Sequence, residues 1–431
     1  MNISRRQFTG SAAAFSMFAA FARAFAEGAA NAAVGKPLAK WQPGHFQIHS
    51  IYTGVNEAMF LIYPDGTSLL LDCGELGAGG TPALPSRERL GGEWTARYVL
   101  RVNPNGKKVD RFLLSHFHND HAGAKLRHCK PSKIGNFIVS GLGEVVEYGL
   151  LDIAKVIDRG WPDFNDPFPV DLKADDSTLE NLIGVYEVMK QRGTKFEKFR
   201  LQKGSTQFDP LHGKVDGFSV TPICANGRIL LPDGTVRDLF ANMKPKGQKF
   251  SFGENSMSDG AIFQYGKFRF FTAGDFQGRV KMADGSLRHI EDLLGETLAP
   301  VAVAKANHHG HHSMTGGLVK ALQAQVYFAC MWTAKGHMTE DTLARLADRS
   351  LYPGDRLLCP GVFTEERRTW RLHNKYAEVP AWFKDIPEAV FEAKHLVFDV
   401  PPGGETFKLS FVRAADESMT VESVVDFQTR G

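Results

Sequence analysis

Cysteine is sparse in this sequence, and the five present, Cys73, Cys129, Cys224, Cys330 and Cys359, are scattered with no C-x-x-C among them. An odd, dispersed set is a poor disulfide framework, even in an oxidising compartment. Charge of one sign is also lacking, with 51 Lys and Arg against 48 Asp and Glu, a formal +3. Residues 1–26 hold Arg5, Arg6 and Arg23 and no acidic residue, so a chain without them is formally neutral. Tight non-specific nucleic-acid binding needs several Lys/Arg–phosphate contacts, so nucleic acid is not the expected partner, although a local basic patch stays open. Beyond the N-terminus no apolar run approaches the ~20 residues that span a bilayer, and no membrane is expected for the mature form. There is no internal repeat of solenoid period. What is there, 43% hydrophobic and 23% charged positions, suits a globular chain with a sizeable core.

The N-terminus reads Ser4-Arg5-Arg6-Gln7-Phe8, followed by an Ala-rich apolar stretch over 12–21 and then Ala24-Phe25-Ala26. This resembles a twin-arginine export signal, with small residues at a cleavage site after Ala26. It implies the twin-arginine export machinery as a partner and a periplasmic or otherwise exported location. That pathway carries folded cargo, so a metal can be loaded in the cytoplasm. Residues 27–45, rich in Ala, Gly and Pro, read as a linker, and 46–431 as the functional domain.

From Phe46 the pattern becomes short apolar runs separated by turn signals, with strands predicted at 46–52, 58–63 and 68–71, the last two joined through Pro64-Asp65-Gly66. Residues 109–115 form another apolar strand. Residues 142–157 and 178–191 carry apolar positions at helical spacing, and 142–215 reads as a helical insertion. Strands return at 218–223, 228–240 and 260–272. Helices at 318–322 and 340–346 flank a strand at 326–330, and 405–428 alternates as a terminal hairpin. Meanders of strands, with helices between the later ones, imply a layered α/β sandwich whose site gathers where loops leave the strand ends.

The chemistry is concentrated in His116-Phe117-His118-Asn119-Asp120-His121, at the end of the 109–115 strand. In extended chain, residues i and i+2 point the same way, so His116 and His118 can reach one ion. Asp120 and His121 follow where the chain turns, and can serve a neighbouring ion. Imidazole and carboxylate suit zinc, and two ions can share a bridging water.

Here the sequence resembles the metallo-β-lactamase superfamily, whose pattern is an Asp at a strand end, H-x-H-x-D-H, a His, a bridging Asp and a final His. Asp72 in Leu71-Asp72-Cys73-Gly74, Asp275 in Ala273-Gly274-Asp275, and His308 or His309 in Asn307-His308-His309-Gly310 match it. The resemblance implies an αβ/βα sandwich of two mixed sheets flanked by helices. It implies two metal ions, zinc or else iron or manganese, held by His116, His118, Asp120, His121, Asp275 and His308 or His309. Asp72 is then a support behind the histidines. The likeness is closest to the hydrolase domain of ComEC-type DNA-uptake proteins and their soluble relatives, through Glu254-Asn255-Ser256-Met257-Ser258, Ala273-Gly274-Asp275 and His308-His309-Gly310-His311. His337 resembles that group's later His-Pro, with Met338 in place of Pro; it reads as a proton donor or substrate contact, or alternatively as a cap before the helix at Thr339.

The third donor of the first ion stays open among His212, Cys224, Asn226 and water, while His128 reads as a surface residue. His311 and His312 read as extra ligands, supports or solvated loop residues. The implied activity is hydrolysis by a hydroxide made at neutral pH, since a bound metal lowers the pKa of water from ~15.7 to ~7. Asp120 and His337 are the candidate catalytic residues. The expected substrate is a phosphoester or phosphodiester; the alternatives are a carboxylic ester, thioester, lactone or lactam, or a metal-binding protein without activity.

Overall fold

A computed structural model describes residues 32–76, 83–241, 253–330, 338–359 and 393–430. They form two mixed sheets, each antiparallel at one end and parallel at the other. The first runs, in spatial order, Val421–Gln428, Thr406–Arg413, Lys394–Val400, Phe46–Ser50, Met59–Ile62, Ser68–Leu71, Arg111–Leu113, Lys155–Asp158 and Lys195–Lys198. The second runs Val236–Asp238, Arg228–Leu230, Phe218–Ala225, Gly260–Tyr265, Phe268–Thr272, Val303–Lys305, Val326–Phe328 and Leu357–Cys359. Pairing becomes parallel after Ser68–Leu71 in the first sheet and after Phe268–Thr272 in the second.

Strand alternation explains the layering. In the first sheet Leu61, Leu69, Leu71 and Leu113 join a core with Phe263, Phe270, Val303 and Phe328 of the second sheet. Their chain neighbours Phe60, Ile62, Leu70 and Phe112 point to the opposite face and pack on Val99, Leu142, Val145, Leu182 and Val185 from the helices Gly91–Val102, Leu142–Glu147 and Ala174–Gln191. Helices Ile290–Gly295, Gly316–Leu322 and Glu340–Ala347 contribute Leu293, Leu318, Val319 and Leu343 to the core on the second sheet's side. The expected αβ/βα sandwich is therefore the architecture.

Several boundaries differ from those read in the sequence. The stretch 142–215 is not purely helical: besides the two helices it supplies Lys155–Asp158 and Lys195–Lys198, which extend the parallel end of the first sheet. A strand this short leaves too brief a pattern to separate from the helical one around it. The 27–45 stretch is no free linker in its described part. Gly35 N–H and Leu38 N–H donate to the Val421 and Met419 carbonyls at 2.8 Å each, bonds that its composition does not reveal. The terminal hairpin, Thr406–Arg413 with Val421–Gln428, joins the first sheet through Lys394–Val400.

Candidate metal centre

Parallel register places both halves of the centre. Leu71 pairs with Leu113, so Asp72 and the chain leading to His116 leave the sheet at the same edge. Asp72 takes a left-handed backbone conformation, φ 59°, and its carboxylate turns back. Oδ1 accepts the Ser115 N–H at 2.7 Å, and Oδ2 accepts from Ser115 Oγ and His121 Nδ1 at 2.8 Å each. With Nδ1 held in this way, His121 presents Nε2 to the centre. The backbone after Asp72 clamps the His run: Cys73 and Glu75 N–H donate to the His121 and Asn119 carbonyls at 2.8 Å. Only glycine allows this approach at position 74, where a Cβ would lie 1.8 Å from the Asp120 carbonyl oxygen.

In the second sheet Phe271 pairs with Ala304, which brings Asp275 beside Asn307-His308-His309. Gly274 turns at φ 52°, and its carbonyl accepts from His308 N–H at 3.2 Å and Lys305 Nζ at 2.8 Å. Ser258 Oγ accepts the Asp275 N–H at 3.1 Å.

Two groups of donor atoms result, each with all atoms within 4.8 Å of one another: Glu57, His121, Asp275 and His309, and His116, His118 and Asp275. Asp275 is common to both. Its Oδ1 lies 3.4 Å from His121 Nε2, and its Oδ2 lies 3.4 Å from His309 Nε2, 3.7 Å from His116 Nε2 and 3.9 Å from His308 Nε2. Asp120 Oδ2 is 3.0 Å from His309 Nε2 and 3.5 Å from His121 Nε2. The side chains of His116, His121, Asp275 and His309 are essentially inaccessible.

The electrostatics fit a cation. Burial opposes charge on His121, yet Asp275, Asp120, Asp72 and Glu57 push its imidazole well above the usual histidine range. For His309 too, Asp275, Asp120 and Glu57 overcome burial in the same direction. His116 goes the other way: burial first, then His121 and His118, hold it well below its ordinary value, so it is a neutral donor. Buried Nε2 atoms of His116 and His121 without a hydrogen-bond partner, facing a shared carboxylate, are the chemistry of a metal donor set.

Of the residues singled out in the sequence, His116, His118, Asp120, His121, Asp275 and His309 converge. His308 lies at the rim, a fifth exposed, with its ring 5.1 Å from that of His311. His312 turns away to Asp341, 2.9 Å from its Oδ1. The open third donor falls to none of its protein candidates. His212 is exposed and sits 3.1 Å from Asp110 Oδ2. Cys224 is buried in the inter-sheet core. Asn226 is engaged by Arg159 and Asp166. The group that does approach His118 Nε2 is Asp175 Oδ2, at 3.4 Å. His128 is exposed, and His337 lies outside the described residues.

Sequence reasoning missed Glu57 and Lys305. Both are fully buried, with Lys305 Nζ 2.6 Å from Glu57 Oε1 and 3.8 Å from Asp275 Oδ1. Glu57 Oε2 lies 2.9 Å from His309 Nδ1, so it can orient His309 as Asp72 orients His121. The signal was a charged residue set inside an apolar strand run, Val301-Ala302-Val303-Ala304-Lys305-Ala306, since lysine is almost never fully buried unless paired.

No curated protein matches the chain. Residues 52–186, which carry Asp72 and the whole His116–His121 run, match the family model of the metallo-beta-lactamase superfamily, and the αβ/βα sandwich is consistent with that match.

Proposed function

We propose that this protein is a metal-dependent hydrolase whose substrate is a phosphoester or phosphodiester. The observation that carries the reading is Asp275, a buried carboxylate common to two donor groups, one with His116 and His118 and the other joining His121 from the first sheet's loops to His309 from the second's. The donor set of imidazole and carboxylate, without thiolate, suits two zinc ions, with iron or manganese as alternatives. Divalent ions there supply Lewis acidity and hydroxide at neutral pH. The chain's own part is to hold the donors: Asp72 and Glu57 fix the imidazoles of His121 and His309, Lys305 balances the carboxylates, and the packed sheets exclude water. Asp120, a tenth exposed against 1% for Asp275, is the proposed catalytic carboxylate; against burial, His121 and His309 beside it hold its carboxyl well below the usual carboxylate range, and His337 is the proposed proton donor. The phosphoester preference draws on the resemblance of Glu254–Ser258 and His308–Gly310 to the ComEC-type domain.

The test is metal analysis of the purified chain, followed by turnover of chromogenic phosphodiester, phosphomonoester, lactone and cephalosporin substrates. Metal-dependent phosphodiester turnover is expected. Turnover confined to the lactone or cephalosporin moves the assignment to acyl chemistry, and bound metal with no turnover leaves a binding protein. Export by the twin-arginine route is proposed from Arg5-Arg6; changing both to Lys should leave unprocessed chain in the cytoplasm, and mature protein outside the inner membrane would refute it.

A further inference from the structure

A cavity of about 250 Å³ lies beside the His run, and none of its lining residues belongs to either donor group. Phe117, which separates His116 from His118, forms one wall, and Asp175, whose Oδ2 is 3.4 Å from His118 Nε2, stands on another. A group lodged in the cavity is thus one residue away from the first donor group. The remaining wall is apolar, built from Phe168, Val170, Leu179 and Met257.

The charges around it decide what it accepts. The guanidinium among its described lining residues, Arg159, is already committed: Nε is 2.7 Å from Glu254 Oε1, Nη1 is 3.0 Å from Asn226 Oδ1, and the group lies 4.6 Å from the centre of the Phe117 ring. Glu254 Oε1 in turn accepts the Phe117 N–H at 2.8 Å, which ties this wall to the His run. The other charged lining residues are Asp171 and Asp175, both acidic. Among the described residues of the lining, an anion meets carboxylates and no uncommitted cation, whereas an uncharged ring finds apolar wall. At ~30 Å³ per water-sized group, the volume of about 250 Å³ holds about eight non-hydrogen atoms.

We infer that this cavity is the subsite for an uncharged aromatic group of the substrate, whose scissile bond then lies at the metal centre. The inference rests on the hydrolase reading for the second half of that statement and makes the substrate an aryl or arylalkyl ester rather than a polyanion such as a nucleic acid.

Indole, a neutral bicycle with no metal-binding oxyanion, is the probe, and ligand-observed NMR on the full metal-loaded chain is the measurement. Saturable binding is expected, retained in Val170→Leu and weakened at least tenfold in Val170→Asp. Phe168→Asp, on a half-buried side chain, is a second variant should the first fail to fold by circular dichroism. No saturable binding to the parent chain, or binding untouched by a carboxylate at either position, overturns the subsite. Indole binding should survive in Asp275→Ala, where the metal donors are broken. A metal-loaded parent chain that binds indole and hydrolyses none of the substrates therefore sinks the hydrolase reading alone, and hydrolysis without indole binding sinks the subsite alone.

Discussion

The two sheets repeat one plan and use it differently. In each, an antiparallel run gives way to parallel pairing at a single strand, Ser68–Leu71 or Phe268–Thr272. That strand is followed by an aspartate, and the parallel neighbour, Arg111–Leu113 or Val303–Lys305, is followed by histidines. Yet Asp72 comes directly after its strand and folds back onto Ser115 and His121, while Asp275 comes two residues later, past the turn at Gly274, and faces both donor groups. A two-residue offset thus separates a carboxylate that orients a ligand from one that can be a ligand. The family match stops at residue 186, inside the half that holds Asp72.

Exchanging the roles is the severest way to break this comparison. Asp275→Ala should lower metal affinity at both donor groups by more than ~100-fold, because it removes a donor from each. Asp72→Ala should cost ~10–100-fold, the range for a residue that only orients a ligand. Chelator competition with elemental analysis measures both. Equal losses in the two variants would erase the distinction drawn between the aspartates.

The halves also meet through a buried charge pair. Glu57 from the first half reaches Lys305 and His309 of the second, with no exposure for either partner. Lys305→Met leaves Glu57 buried without its cation and should destabilise by ~3–5 kcal/mol in urea unfolding, whereas the double change Glu57→Gln with Lys305→Met should recover part of that loss. Simple additivity of the two single changes would mean that the pair is not coupled.

The unequal legibility of the halves has the same origin. Six consecutive residues hold His116, His118, Asp120 and His121, because one loop supplies them all, and such density is visible without a structure. Asp275, His309 and Glu57 are assembled by strand register between distant segments, so Asp275 and His309 were found only through the resemblance, and Glu57 and Lys305 not at all. The choice between His308 and His309 could not be read either. Both take positive φ, 47° and 53°, in a tight turn where neither helical nor strand periodicity says which ring faces inward. The fold class was readable because alternating apolar strands point to two buried faces. The short parallel strands Lys155–Asp158 and Lys195–Lys198 were not, since the second is only partly buried and carries little apolar signal.

A last comparison sets two buried glutamates against each other, one in each half. Glu144 accepts the Glu93 N–H at the start of the helix Gly91–Val102. Glu291 accepts from Met314 and Thr315 N–H, just before the helix Gly316–Leu322. Burial pushes Glu144 from 4.5 up to about 8 and Glu291 from 4.5 up to about 7, against the pull of these hydrogen bonds. A carboxyl raised in the folded state keeps its proton after the unfolded chain has released its own. Stability therefore falls as pH rises through the unfolded value, and the fall ends at the folded value. Glutamine has no proton to lose, so the stability of Glu144→Gln relative to the parent should grow between pH 4.5 and about 8, and that of Glu291→Gln only to about 7. The gain is a few kcal/mol at most, at ~1.36 kcal/mol for each pH unit that separates the folded and unfolded values, and urea midpoints from pH 5 to 8.5 measure it. Curves that stay parallel to the parent across that range would show that neither glutamate holds its proton, and a longer rise for Glu291→Gln would reverse the order of the two halves.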